Sequence, residues 1–242
     1  TYYVARETKK YVTVALNGDG GDENLAGYTR YWQMLLLNKI RDVFNIAPPP
    51  VKRGLMLAML DAYKKYPSST FFRIWKWMEE AEKYGDAYAY ARRLISFSPE
   101  HKNWIYSDYL KSELYGNDPI SLMKQLWEEA GSVDLLEKML YSDFHLYLAD
   151  VLTVKMDIAT MSNSMESRSP FLDQKFIETI ASFPSSLKFS RFTSKYILKK
   201  KLKGFLPDEI LEREKMGFGI PIGDWFKNEM KDYLSSLLLS DT

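Results

Sequence analysis

Seven residues near the start, Asn17-Gly18-Asp19-Gly20-Gly21-Asp22-Glu23, interleave three glycines with three carboxylates. Glycines let the backbone take positive φ and approach a ligand closely. A loop that only cradled phosphate would not carry carboxylates, which repel phosphate oxygens. The combination therefore points to a magnesium ion held between loop and phosphate, a hard cation with oxygen ligands. Two other ligand loops fit poorly. A dinucleotide fingerprint needs a third Gly where Glu23 stands, and an EF-hand loop from Asn17 would need Gly at Asp22 and Glu at Tyr28. An ordinary Asp/Gly turn with solvated acids remains the alternative that spacing alone leaves open.

Two further constellations could do chemistry. Asp150-Val151-Leu152-Thr153-Val154-Lys155-Met156-Asp157 leads into Ser164-Met165-Glu166-Ser167-Arg168-Ser169-Pro170-Phe171-Leu172-Asp173. In an α-helix Asp150 and Asp157 are two turns apart and share a face, whereas Lys155 lies elsewhere. Glu166 and Arg168 precede Pro170, so their backbone is expected to be extended; such residues either hold substrate or tie the loop to the core. The other constellation is Arg213-Glu214-Lys215-Met216-Gly217-Phe218-Gly219-Ile220-Pro221. There Lys215, just before a glycine loop, could bring a point charge onto a phosphate, or simply be solvated at a helix end.

These residues need elements to position them. A β-branched run, Tyr11 to Leu16, suits a buried strand, with a short helical stretch (Thr1 to Lys10) before it and the glycine loop after it. A loop that follows a strand and precedes a helix is where open α/β sheets bind ligands. Helical spacing then dominates: Tyr28 to Phe44, Val51 to Lys65 after three prolines, a helix capped by Ser69 or Thr70, Asp86 to Phe97, and a helix opened by Asp118-Pro119. Val133 to Ser162 reads as two helices end to end. Later helices are expected at Leu172 to Ser182, Thr193 to Lys203, after Pro207 and from Gly223. No later segment reads as a strand, and unpaired strand edges are not stable in water, so either the single strand has partners outside this chain, which is favoured, or it is not a strand. The basic run Lys188 to Lys203 also carries an apolar stripe and is read as a solvated helix face. His145 is expected in the core or at its border and His101 in solvent. The aromatic run Phe71 to Trp77 is read as core.

Composition bounds the rest. The 242 residues are ample for a core. A net charge of +1 gives no field for nucleic acid or a membrane surface. With no cysteine, disulfides and thiolate chemistry are excluded for this chain, and two histidines leave no imidazole cluster. No apolar run is long enough to span a bilayer. The expectation is a cytoplasmic globular protein rich in helix, and the opening Thr1, inside a helical stretch, is read as a chain boundary rather than a nucleophile.

Together the three constellations resemble the synthetase domain of glutamine-hydrolysing asparagine synthetases. The first is similar to that family's Ser-Gly-Asp/Glu-Gly-Gly/Ser-Asp-Glu followed by Phe-Gly-Gly-Tyr; here Asn24-Leu25-Ala26-Gly27-Tyr28 follows. The second is similar to its S-(L/M)-E-x-R-x-P-F-L-D, and the third to its K-M-G-F-G-x-P. The resemblance implies a mostly α segment: the C-terminal part of an α/β adenine-nucleotide α-hydrolase-like (ATP pyrophosphatase-type) domain with a remnant parallel strand. Residues 1–45 would end the nucleotide-binding part and 46–242 would form the helical part. It implies amidation of aspartate through β-aspartyl-AMP, with ATP and Mg2+ and with ammonia derived from glutamine by an upstream glutaminase domain of the same chain. By position, Asn17 and Gly18 would lie against ATP, Asp22 would bind magnesium, Asp19 would assist ammonia attack and Lys215 would steady the phosphate charge. Glu23, Glu166 and Arg168 would brace the site or touch substrate.

There are departures from the family pattern. Asn17 replaces Ser and Ala26 replaces Gly. The family's Ser-Gly-Gly-x-Asp-Ser pyrophosphate loop and its glutaminase domain are absent from these residues, so the isolated segment is expected to be inactive. Relatives of this domain type form other amides or a β-lactam ring, so a different acceptor carboxylate stays open, as do a non-catalytic helical interaction domain and homo-oligomerisation.

Overall fold

A computed structural model describes residues 1–65, 70–114, 119–132, 134–213 and 219–239. The chain separates into two compact units, Thr1–Leu211 and Glu212–Thr242. The first unit opens with α1 (Tyr2–Lys9), β1 (Val14–Leu16), α2 (Gly21–Asn24), α3 (Thr29–Ile46), α4 (Pro49–Lys65), α5 (Thr70–Tyr84) and α6 (Asp86–Ala91). It continues through α7 (Pro99–Ile105), α8 (Asp108–Glu113), α9 (Pro119–Glu129) and α10 (Leu135–Ser142) to a π-helix, Asp143–Thr153, which runs into α11 (Val154–Met161). Then come β2 (Glu166–Arg168), α12 (Gln174–Ala181), α13 (Ser185–Lys188), the hairpin β3 (Phe189–Ser190) and β4 (Thr193–Ser194), α14 (Tyr196–Leu202) and α15 (Asp208–Glu212). The second unit holds α16 (Ile222–Lys227) and α17 (Lys231–Leu238).

The hydrophobic core is helical. Tyr31, Met34 and Leu37 line one stripe of α3, and Ile120, Met123 and Trp127 line one of α9, both at helical spacing. Leu136, Met139 and Leu140 of α10 and Ala87 to Ala91 of α6 complete it. α10 starts where it does because the Asp134 carboxylate accepts from the amides of Leu136 and Glu137. The rings of Tyr31 and Tyr90 stack at 6.4 Å, and Trp127 packs on Tyr90 at 5.6 Å.

Several sequence expectations change. The strand does find a partner within the chain: β1 pairs in parallel with β2, in the register Val14↔Glu166, Ala15↔Ser167, Leu16↔Arg168. Three polar residues give no period for strand detection, and a parallel ladder forms across a long sequence separation. The strand is also not buried, since Val14 and Leu16 are 42% and 74% exposed. From Leu135 to Met161 the chain is one helical run with a π segment in its middle. Its buried residues Asp143 and Leu148 lie five apart, which suits the wider turn. That turn also breaks the two-turn α phase assumed for Asp150 and Asp157. Finally, His145 is exposed rather than packed in the core, while His101 is exposed as expected. The Ser69 and Asp118 caps lie outside the described residues. Among the described residues no helix is long and apolar enough to cross a membrane.

Candidate active site

The glycine loop begins where β1 ends, and β2 holds it. The Asn17 amide N–H donates to the carbonyl of Arg168 at 2.9 Å, extending the ladder by one residue. Its side-chain Nδ2 donates to Ser167 Oγ at 2.7 Å, and its Oδ1 accepts from the Asp19 amide at 2.9 Å. The Ser169 hydroxyl donates to the Asp19 carbonyl. One turn on, Asn24 Nδ2 donates to the carbonyls of Gly20 (2.8 Å) and Phe171 (2.9 Å). The first two sequence constellations thus form one structure, with the second as the bed on which the first lies.

Local sequence explains the loop's shape. Gly20 has φ +83°, and a Cβ there would lie 2.3 Å from Leu172 Cδ2. A Cβ on Gly27 would lie 1.9 Å from Asp22 Oδ1, so only Gly lets the chain pass that carboxylate. At Gly18 a Cβ would meet nothing within 4 Å. Packing does not demand glycine there, and the open side leaves room for a ligand.

The three loop carboxylates occupy different environments. Asp19 is half-buried on the wall of a cavity of about 260 Å³, together with Asn17, Thr153, Asp157, Thr160, Glu166 and Ser169. Burial raises its pKa, the charge on Lys155 works against that, and Asp22 adds to it. Asp22 is buried, with Oδ1 2.7 Å from Lys195 Nζ. Lys195 reaches it from a strained position: it has φ +54°, just past a hairpin turn where Arg191 and Phe192 also have positive φ, and its amide donates to the Leu25 carbonyl. Glu23 is 2% exposed and accepts the hydroxyl proton of Tyr28. Burial raises its pKa and the Tyr28 hydrogen bond opposes the rise.

Glu166 and Arg168 pair with each other at 2.7 Å, both side chains more than half exposed, and the Glu166 partner keeps the guanidinium protonated. They brace one another at the strand edge, and Glu166 also faces the small cavity. Lys215 lies outside the described residues. A larger cavity, of about 730 Å³, has Glu23 and Asn24 on its wall.

Sequence reasoning missed three participants. Lys195 was counted within a solvated basic face, and its positive φ and ion pair are not written in residue spacing. Lys188, of the same run, is 2% exposed and bonds both Glu137 carboxylate oxygens at 3.0 Å. Lys155 was placed away from the acids, yet its field reaches Asp19.

A magnesium ion of the kind expected here keeps several waters and takes one or two carboxylates plus substrate phosphates. Asp22 offers one buried carboxylate of that type, already matched by a cation. Among the described residues no group of three or more acids and histidines forms a cage. The donor set fits a metal that arrives with phosphate and does not fit a permanently bound ion.

The sequence profile of the family described as asparagine synthase matches residues 1–242. The chain is 31% identical over 238 residues to asparagine synthetase (glutamine-hydrolyzing) 1 of Bacillus subtilis (strain 168), covering 98% of this chain and 35% of that protein. It is 29% identical over 231 residues to a putative asparagine synthetase (glutamine-hydrolyzing) of Mycobacterium bovis, covering 93% of this chain and 32% of the relative. It is 26% identical over 230 residues to amidase chyE of Penicillium rubens, covering 88% and 33%. The chain therefore spans about a third of the length of the curated relatives it matches. No solved structure matches it at a significant level. A profile that runs from the first residue to the last, over a strand-end acidic glycine loop bedded on Ser164–Asp173, shows that the chain belongs to the asparagine synthase family.

Proposed function

We propose that this chain is the C-terminal part of a synthetase domain that amidates the side chain of aspartate at the expense of ATP, using ammonia derived from glutamine. The observation that carries the reading is the seating of the Asp19–Asp22 loop on the Glu166–Arg168 strand, which sets a half-buried carboxylate beside a cavity of amino-acid size. In the first half-reaction a side-chain carboxylate oxygen of aspartate bonds to the α-phosphorus of ATP, the bond to the bridging oxygen breaks, and pyrophosphate leaves. In the second, ammonia attacks the acyl carbon of β-aspartyl-AMP, AMP departs with the carbon–oxygen electron pair, and the nitrogen loses a proton.

Asp19 is the group to take that proton, because burial moves its pKa up toward the range in which a carboxylate works as a base. Asn17 and Gly18 would lie against the nucleotide, on the side where Gly18 is open. Asp22 would hold Mg2+ when Mg–ATP is bound, and the ion would supply neutralisation of phosphate charge. Lys195 supplies the balancing charge to Asp22 otherwise. Lys215 would place a further point charge on the phosphates. Glu166 forms part of the cavity wall, Arg168 holds Glu166, and Glu23 braces the loop. Cytoplasmic location and a glutaminase domain upstream in the full polypeptide belong to the same proposal.

The full-length protein, given aspartate, ATP, Mg2+ and ammonium chloride, should form asparagine, AMP and pyrophosphate in equal amounts, and glutamine should replace ammonium. The isolated 242 residues should form none, since the expected pyrophosphate loop is not among them. Pyrophosphate release with another carboxylate and not with aspartate would move the reading to a related amide-forming enzyme or cyclase. The name of the Penicillium relative, an amidase, makes that panel of carboxylates part of the assay. Unchanged activity in Asp22→Ala and Lys215→Ala would favour a non-catalytic helical domain instead.

A further inference from the structure

The loop is pinned on three sides, and only one of the pins, β2, lies in a sequence motif. β2 and its extension hold Asn17, Asp19 and Asn24 on one side, and Lys195 holds Asp22 on another. The third pin comes from the helical core. Asp143, at the head of the π-helix, is fully buried, and its Oδ2 accepts from Arg30 Nη2 at 2.6 Å, Arg30 Nε at 3.1 Å, Tyr90 OH at 2.7 Å and Tyr31 OH. The Arg30 guanidinium so fixed lies over the ring of Tyr28, 3.8 Å from its centroid, and 4.7 Å from the centroid of Tyr147. Burial works against its charge, and the Asp143 carboxylate holds it protonated. Tyr28 in turn donates its hydroxyl proton to Glu23, directly after Asp22.

We infer that Arg30 and Tyr28 are positioning residues. Asp143 anchors Arg30, Arg30 fixes the plane of the Tyr28 ring, and the Tyr28 hydroxyl locks Glu23, so that the loop carrying Asp19 and Asp22 has one register. The catalytic part of this inference rests on the function proposed above; the register part does not. A planar cation is required at position 30, because the flat guanidinium can both fork onto a carboxylate and stack on a ring, which an ammonium cannot do. The π-helix is then the element that turns the buried carboxylate toward α3.

The test uses the full-length protein and two variants. Tyr28→Phe removes one hydroxyl and keeps the ring over Arg30; Arg30→Lys keeps the charge and loses the plane. Amide exchange at residues 18–24, followed by mass spectrometry, should be about tenfold faster in Tyr28→Phe while exchange in α10 and the global melt stay unchanged. In the pyrophosphate-release assay kcat should fall by about tenfold with KM for aspartate within about twofold, the split expected when alignment rather than binding is lost. Arg30→Lys should show the same pattern, and if it fails to fold, Tyr28→Phe decides alone. Wild-type exchange in the loop of Tyr28→Phe overturns the inference, and so does faster exchange with unchanged kcat. A wild-type protein that releases no pyrophosphate with aspartate overturns the proposed function instead, and the exchange measurement still decides whether the Tyr28–Glu23 pin sets the register.

Discussion

Asp19 holds a carboxylate partly out of water, with the charge of Lys155 in its favour and that of Asp22 against it. A carboxyl whose folded-state pKa is raised favours folding while it is protonated, and that contribution is lost as pH rises through the raised value. At neutral pH the Asp19 charge is therefore a cost to the fold. Asp19→Asn removes it, and the expected outcome is a higher melting temperature at pH 7 together with loss of asparagine formation in the full-length protein. Below the ordinary carboxylate range Asp19 is protonated in both states, so the melting temperatures of the two proteins should converge there. Melts of both at pH 7 and pH 3 check this; equal melting at pH 7 would contradict it. The base role proposed for Asp19 would make this the exchange of stability for activity familiar in enzymes. Asp22, by contrast, is paired with Lys195 at 2.7 Å.

At the scale of elements, much of what positions these residues comes from a π-helix and a three-residue strand, and both are poorly visible in sequence for physical reasons. Helical periodicity does mark Tyr28–Phe44 and the 133–162 stretch as helical, and the structure has α3 over Thr29–Ile46 and a continuous run from Leu135 to Met161. What periodicity cannot register is a local widening to one extra residue per hydrogen bond, which re-aims Asp143 into the core without changing composition. β2 is Glu-Ser-Arg, a sequence with no strand preference, made a strand by the backbone of Thr13 to Asn17 alongside it. The proline at 170 indicates only that the backbone before it is extended. Because Asp143 is fully buried and holds Arg30, whose side chain is 16% exposed, removing the carboxylate strands a cation in the core. Asp143→Ala should cost about 3–5 kcal/mol, the range for breaking a buried pair on one side. Urea unfolding of the full-length protein would measure it, and a loss below about 1 kcal/mol, typical of exposed pairs, would show that the pair is not a structural anchor.

At the scale of the whole molecule, the helical core of the first unit is satisfied internally, while the two-stranded sheet is not. Tyr11, Val14 and Leu16 are exposed on or beside β1, and a short parallel pair offers unpaired strand edges to water. The isolated 242-residue chain should therefore associate as its concentration rises. Val14→Thr with Leu16→Lys should reduce the association by charging the strand, as edge lysines do in natural sheets. Light scattering after size exclusion would compare the two, and identical mass distributions at micromolar concentrations would contradict the expectation.

Sequence alone determined the family, the helical character and the residues of the acidic glycine loop, because motif identity and helical periodicity are local properties carried by neighbours within a few turns. It also determined that Gly20 and Gly27 are glycines, although not what they avoid. Only the tertiary structure decided that the loop lies on Ser167, Ser169 and Phe171, that Lys195 faces Asp22, and that Asp143, Arg30 and Tyr28 lead to Glu23. Apart from Tyr28–Glu23 and the Arg30–Tyr28 ring contact, those contacts join residues about 110 to 170 positions apart, and their energies depend on burial, which spacing does not contain. The chemistry of the site was legible as a set of residue types. Which carboxylate stands by the cavity, which is paired and which is locked became definite only when the chain was packed.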